Sequence, residues 1–284
     1  MENLIYRQYV EGLAEVERVT REQGYSMSSR HFHDTYELYC LLEGEVYYFI
    51  DKETYLVKAG DVVLVRPGQI HKTSMTKSSR HSRILFQIRE EALDPFLEKN
   101  DFYPLKEVYD RNDQIIRLST EDVAKVEGLA LQVRDEMRDR KRKYELMVKT
   151  KLLELLVLLA RYQKHMLPEK EIALTPKHQK VHEVADYLQT HFDTREQLEE
   201  LAGRFYVSKS YLCRIFREVT GLGISEYTNI VRVRKAQNLL ANGDYSVTEI
   251  AGMLGFESIT YFERVFKKYT ACTPLKYRKE KRRY

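Results

Sequence analysis

The sequence predicts an α+β chain: a β-rich N-terminal barrel or sandwich with flanking helices, then an all-α C-terminal region. In that second region a helix-turn-helix occurs twice, joined by one long helix. Three observations carry this. Between residues 30 and 90, short runs rich in Tyr, Val, Ile and Phe are separated by turns containing Gly and Pro. From Ser119 onward the apolar residues recur at helical spacing. Beyond His178 the chain repeats itself at an offset of 50 residues.

A length of 284 residues is long for one hydrophobic core, so two domains are expected. The longest apolar run, Leu152 to Ala160, contains Glu154 and is about half the roughly 18 residues that span a bilayer. The opening MENLIYRQYVEGLAEVER lacks an apolar stretch behind a basic start, so no secretory signal is expected and a cytoplasmic location is. Cys40, Cys213 and Cys272 are too scattered for a disulfide framework. Net charge is +4, and its distribution is uneven. From His178 to the end there are 18 Lys+Arg against 13 Asp+Glu, and before it 29 against 30. The basic excess therefore lies at the C-terminal end, as a polyanion-binding region requires, although a solvated basic face has the same composition.

The strand-like runs are ELYCLLEG, EVYYFID, TYLVKAG, DVVLVRPG and SRILFQI, within an N-terminal domain set at residues 1–118. Ser119 with Asp122 reads as a helix N-terminal capping pair. Residues 119–165 then form two helices, the first highly charged and the second very apolar. This segment is expected to couple the domains or to dimerise, with packing on the barrel as the alternative for LLELLVLL. Pro168 and Pro176 mark residues 166–177 as a linker.

In the C-terminal domain, residues 178–284, SKSYLCRIFREVTG (Ser208–Gly221) recurs as SITYFERVFKKYTA (Ser258–Ala271). A short helix precedes each copy, in LEELAGRFYVS and VTEIAGMLGFES, which places helix-turn-helix units at 199–220 and 247–270. Helical spacing puts Leu212, Ile215, Phe216 and Val219 on one face of the first copy, and Ser210, Cys213, Arg214 and Arg217 on the other. In the second copy Phe262, Val265, Phe266 and Tyr269 pack, while Thr260, Glu263, Arg264 and Lys267 face outward. Arg214 and Arg264 hold equivalent places. A guanidinium there can fork onto the O6/N7 edge of guanine or clamp a phosphate, or pair with its own helix. SEYTNIVRVRKAQNLLANG reads as a rigid spacer. With both helices on one face of a duplex, their sites would lie about 34 Å apart.

The ordered residues of this region, among them Leu198, Leu201, Ala202, Ser208, Leu212, Arg214, Phe216, Gly221, Arg232, Ile250, Ala251, Gly255, Phe256, Phe262, Arg264, Phe266, Thr273 and Pro274, resemble the AraC/XylS family of transcription regulators. The likeness covers about a hundred residues. By position it implies DNA contacts from Lys209, Ser210, Cys213 and Arg214, and from Ile259, Thr260, Glu263 and Arg264. Arg217 and Lys267 join them from the helical face. Ala271 departs from the family's usual Gly at the turn after the second recognition helix.

GYSMSSRHFHDTYELYCLLEG and GDVVLVRPGQIH resemble the two motifs of cupin barrels, which this family often carries as a sensor. The resemblance implies a pocket at His31, His33, Glu37, Tyr39 and His71. Three readings of it stay open: a polar small-molecule effector, a metal suited to imidazole and carboxylate, or a structural polar cluster. Tyr36, Tyr39, Tyr47 and Tyr48 could line such a pocket. No cofactor and no catalytic residue is expected. The expected partners are double-stranded DNA, a small-molecule effector, RNA polymerase and a second copy of the chain, with no membrane partner. The function implied is a sequence-specific, effector-responsive transcription regulator; the alternative is a metal-dependent cupin enzyme with accessory DNA binding.

Overall fold

The alternation of apolar and polar residues in the N-terminal region becomes two packed antiparallel sheets. A computed structural model describes residues 2–22, 33–76, 80–93, 104–109, 114–162 and 175–282. They fall into two compact units, Met1–Ala173 and Leu174–Tyr284.

In the first unit, β1 (Glu2–Val10), β2 (Ala14–Glu22), β3 (Tyr36–Glu43), β6 (Asp61–Val65), β8 (Arg80–Ile88) and β9 (Ile115–Arg117) form one sheet in the order β1-β2-β8-β3-β6-β9. The second sheet has the order β5-β4-β7, from β4 (Glu45–Ile50), β5 (Glu53–Lys58) and β7 (His71–Met75). Period-two alternation sorts the side chains. Tyr39, Leu41, Val63 and Val65 meet Val46, Tyr48, Ile50, Tyr55 and Val57 between the sheets. Leu38, Cys40, Val62, Leu64, Ile84 and Phe86 point the other way and form a second core with the helices.

Those helices are α1 (Pro104–Tyr109), α2 (Thr120–Asp139) and α3 (Tyr144–Ala160). Ser119 caps α2 by accepting the Asp122 amide at 3.1 Å. The chain turns between α2 and α3 through Arg140 and Lys143, both at positive φ. Leu152, Leu155, Leu156 and Leu159 are fully buried in the same core as the outer face of the sheet. The apolar run LLELLVLL thus faces the barrel of its own unit, while Leu131, Leu146 and Met147 stay exposed.

Strands β1, β2, β7 and β9 lie outside the runs that the sequence marks. β2 hides because its charged residues turn inward and pair: Arg83 Nη2 on β8 donates to Glu17 Oε1 at 2.6 Å.

In the second unit the expected linker, residues 166–177, is corrected at its end. Thr175 caps, and Pro176 opens, α4 (Pro176–Thr190). A proline at the first helical position loses no hydrogen bond, so Pro176 starts a helix where a breaker was expected. Residues 163–174 of the coupling segment and linker lie outside the described residues. Then follow α5 (Leu198–Arg204), α6 (Lys209–Thr220), α7 (Ile224–Asn242), α8 (Val247–Met253), α9 (Ile259–Thr270) and α10 (Pro274–Lys281). At 19 residues, α7 spans about 28 Å. It packs Val233, Ala236 and Leu240 against Ile250, Phe256, Phe262 and Phe266 of the second repeat. Among the described residues no helix is long and apolar enough to cross a membrane.

Candidate nucleic-acid interface and effector pocket

The two recognition helices begin and end alike. Ser208 and Ser258 cap α6 and α9, their hydroxyls accepting the amides of Tyr211 and Tyr261 at 3.3 and 3.2 Å. Both helices are 12 residues long and strongly two-faced. α6 buries Leu212, Ile215, Phe216 and Val219; α9 buries Phe262, Val265 and Phe266, with Tyr269 half-buried. The other faces are open. Lys209, Ser210, Arg214 and Arg217 are exposed on α6 with Cys213 half-buried, and Ile259, Thr260, Glu263, Arg264 and Lys267 are all exposed on α9.

Electrostatics distinguishes the faces. Arg214 Nη1 lies 3.0 Å from Glu218 Oε1 one turn along, and Glu218 reaches Lys177 Nζ at 3.4 Å. Lys209 Nζ holds Glu199 at 2.6 Å. Arg264 has no carboxylate partner among the described residues; its guanidinium stands 5.1 Å from the Tyr261 ring. Exposed ion pairs are worth at most about 1 kcal/mol, so a phosphate or guanine edge can displace Glu218 from Arg214 at small cost. The α9 face requires no such exchange.

The spacing of the two helix-turn-helix repeats is fixed through α7. Arg232 donates from Nε to the Phe192 carbonyl at 2.6 Å and from Nη2 to the Thr194 carbonyl at 3.1 Å. Arg195 Nη2 donates to the Phe256 carbonyl at 3.0 Å, and Asn229 Nδ2 to the Tyr261 hydroxyl at 3.1 Å. These bonds tie the loop after α4 to α7 and to the second repeat. Arg232 stands in the quoted motif, yet its clamping role is invisible there because its partners are carbonyls some 40 residues away.

In the first unit, β3 carries Glu37 and Tyr39 inward, and the start of β7 brings His71 beside them. His33 Nε2 lies 3.0 Å and His71 Nε2 3.5 Å from Glu37 Oε2, while the Tyr48 hydroxyl donates to Glu37 Oε1 at 2.8 Å. The Nδ1 atoms are anchored separately, His33 at the Thr35 carbonyl (3.0 Å) and His71 at the Gln69 carbonyl (2.9 Å). Tyr39 packs edge-on against Tyr48 with ring centroids 5.1 Å apart. His31 lies outside the described residues. Tyr48, grouped in the sequence only as one of several tyrosines, is thus a direct partner of the central carboxylate.

Burial alone would raise the Glu37 carboxyl, but the charge on His71 and the hydrogen bond from His33 overcome it and hold it well below the usual range. Burial would likewise depress His71, yet the Glu37 carboxylate raises it. The three ligand-type atoms of His33, Glu37 and His71 lie within 4.8 Å of one another, with both imidazoles oriented as metal ligands usually are. Tyr48 donates to Glu37 Oε1, and the two imidazoles stand beside Oε2, so a proton on the imidazole of His71 would balance the carboxylate as an ion would.

The comparisons agree with both halves. Residues 16–156 match a family described as an AraC-like ligand binding domain, and residues 201–280 one described as a helix-turn-helix domain. The HTH-type transcriptional activator RhaR of Mannheimia succiniciproducens is 24% identical over 248 residues, covering 87% of this chain and 86% of that protein. The regulatory protein PocR of Salmonella typhimurium is 32% identical over 106 residues, 37% of this chain and 35% of that protein. Among solved structures, the DNA-binding domain of AdpA in complex with a target DNA is 35% identical, covering 36% of this chain and 91% of that one, with a TM-score of 0.35. An apo form of ToxT from Vibrio cholerae is 15% identical over 93% of this chain and 96% of that one, with a TM-score of 0.38. A duplicated helix-turn-helix behind a ligand-binding barrel defines a DNA-binding transcription regulator. Within that class, the chain belongs to the AraC family.

Proposed function

We propose that α6 and α9 enter successive major grooves of one operator, with Arg264 as the principal base reader. The observation that carries this is the equivalence of the two exposed faces on a shared helix, α7. On α9, Thr260, Glu263 and Arg264 offer donors and acceptors of different kinds, whereas on α6 Arg214 and Lys209 are each paired to a neighbouring carboxylate. Lys209, Ser210, Cys213 and Arg217 on α6, with Ile259 and Lys267 on α9, complete the interface through phosphate and van der Waals contacts. Selection of bound sequences from a random duplex pool, followed by footprinting, tests it: two protected segments about one helical turn apart are expected.

The barrel is the effector site in this reading, with His31, His33, Glu37, Tyr39 and His71 at its polar end and Tyr48 added by its bond to Glu37. The full-length relative is described as an activator, which makes activation through RNA polymerase the expected direction. Pairing of two chains through the exposed Leu146 and Met147 on α3 is read by light scattering at increasing concentration. A metal-dependent enzyme remains the second reading, because His33, Glu37 and His71 have metal-ligand spacing. Elemental analysis separates the two: a stoichiometric transition metal would favour the enzyme.

A further inference from the structure

The interior of the barrel holds a second polar group, on β2, β3 and β8, separate from the Glu37 triad. Arg21 of β2 is register partner to His81 of β8, and Val19 to Arg83. Leu41 of β3 is opposite Arg83, and Tyr39 opposite Leu85. Tyr39, Leu41 and Leu85 belong to the core between the sheets, so His81 and Arg83, which alternate with them, point there too. His81, Arg83 and Tyr39 are 3%, 2% and 1% exposed.

Among the described residues their hydrogen bonds do not close. Arg83 spends Nη2 on Glu17 and stands 5.6 Å from the Tyr39 ring. Its Nε and Nη1, both ring nitrogens of His81 and the Tyr39 hydroxyl have no partner among the described residues. A buried polar atom left this way keeps its desolvation cost, and a guanidinium cannot relieve it by losing its proton. What the guanidinium calls for is therefore an acceptor. The inner-face carboxylates are already engaged: Glu17 by Arg83, Glu37 by His33, His71 and Tyr48. Burial, with the added charges of Arg21 and Arg83, pushes His81 down to about 4, so the local field at its ring is positive.

Resting on the reading of the barrel as the effector site, we infer that the effector carries an anionic head, a carboxylate or a phosphate. It accepts from Arg83 Nη1, with His81 and the Tyr39 hydroxyl completing its hydrogen bonds. A hydrogen bond from a buried guanidinium to an anion is charge-assisted and among the strong ones. An anion beside His81 offsets the two guanidinium charges and draws a proton onto the imidazole, which then donates to it.

The test uses the full chain with carbon-13-labelled histidine, followed by NMR at about pH 6, where His81 is neutral in the free protein. The probes are sodium propionate, inorganic phosphate and neutral propionamide, and His81→Phe assigns the signal. Propionate or phosphate should protonate His81 saturably, and which of them does so identifies the head. Propionamide should not, and Glu17→Gln/Arg83→Gln, which removes the ion pair as a unit, should weaken the anion at least about tenfold. Should that double variant fail to fold, Tyr39→Phe is expected to weaken the anion in the same direction. No response of His81 to either anion overturns the inference. The barrel reading is scored separately by melting shifts with neutral sugars. A sugar whose binding is lost in Tyr48→Phe but kept in the double variant leaves the effector site standing and overturns only the anionic head. No shift with any probe overturns both.

Discussion

Gly221 and Ala271 occupy the same place in the two repeats, and both adopt the left-handed conformation, with φ of 78° and 59°. The N–H of each donates to the carbonyl four residues back, Arg217 and Lys267. Thr220 and Thr270 brace the two turns alike, their hydroxyls reaching the Phe216 and Phe266 carbonyls at 2.7 and 2.9 Å. The departure of Ala271 from glycine therefore leaves the turn unchanged and adds strain to the second repeat. Left-handed backbone costs a residue with a Cβ about 1–2 kcal/mol, and glycine escapes most of it. Ala271→Gly should raise the melting temperature of the C-terminal unit by a few degrees without altering DNA affinity. Calorimetry showing no gain would place the relief elsewhere.

Gly255 is the opposite case. At φ +71 it closes the turn between α8 and α9, and a Cβ there would stand 2.2 Å from the Asp193 carbonyl oxygen. Its counterpart Tyr206, at φ 55, points its side chain into solvent and is 96% exposed. Gly255→Ala should cost about 2 kcal/mol or more, since backbone must shift against backbone. Tyr206→Gly should be neutral or stabilising. Denaturant melts of the two variants check the asymmetry.

The pairing of Arg214 gives a prediction with an unusual sign. Glu218→Gln removes the carboxylate that holds Arg214 and a negative charge from the DNA-facing helix. Operator affinity should rise a few-fold, with a steeper salt dependence. Reduced affinity in anisotropy titrations at two salt concentrations would mean that Glu218 positions Arg214 and does not compete for it.

Stability should depend on pH differently in the two units. Glu37 is held low, so its contribution is present above the ordinary value of 4.5 and lost as pH falls through the folded one. His71 is raised above 6.5, so its contribution is present below 6.5 and lost as pH climbs through the folded value. That pair supports the barrel best between those two ordinary values. His178, at the start of α4, is pushed down to about 4, mainly by burial and then by Lys177. Folded, it takes up fewer protons than unfolded, so the second unit loses stability as pH drops from 6.5 toward 4. His178→Leu should flatten that acid limb. Melting temperatures recorded across this range, with wild type and variant, read the effect.

Much of this was legible in the sequence because repetition and period are local properties. The 50-residue repeat placed α6 and α9 and sorted Leu212, Phe216, Phe262 and Phe266 from the exposed faces. The strands with a regular apolar period were legible for the same reason. β2 was not, since Glu17 and Arg21 read as surface charge until partners far along the chain come beside them. The inward cluster of Arg83 and His81 was hidden in the same way. His33, Glu37 and His71 did meet as their motif implies, whereas the engagement of Arg214 by Glu218 depends on rotamers that spacing does not fix.

If two equivalent helix faces read DNA with α9 leading, as proposed, Arg214 and Arg264 should contribute unequally to operator binding. An anisotropy titration of the selected operator with wild type, Arg214→Ala and Arg264→Ala tests it most directly, read against a scrambled duplex at one salt concentration. Each substitution should cost about 1–3 kcal/mol of specific binding, with the larger loss at Arg264, and relax sequence preference in one half of the site. Full affinity and unchanged preference in both variants would mean that these two faces do not read the operator.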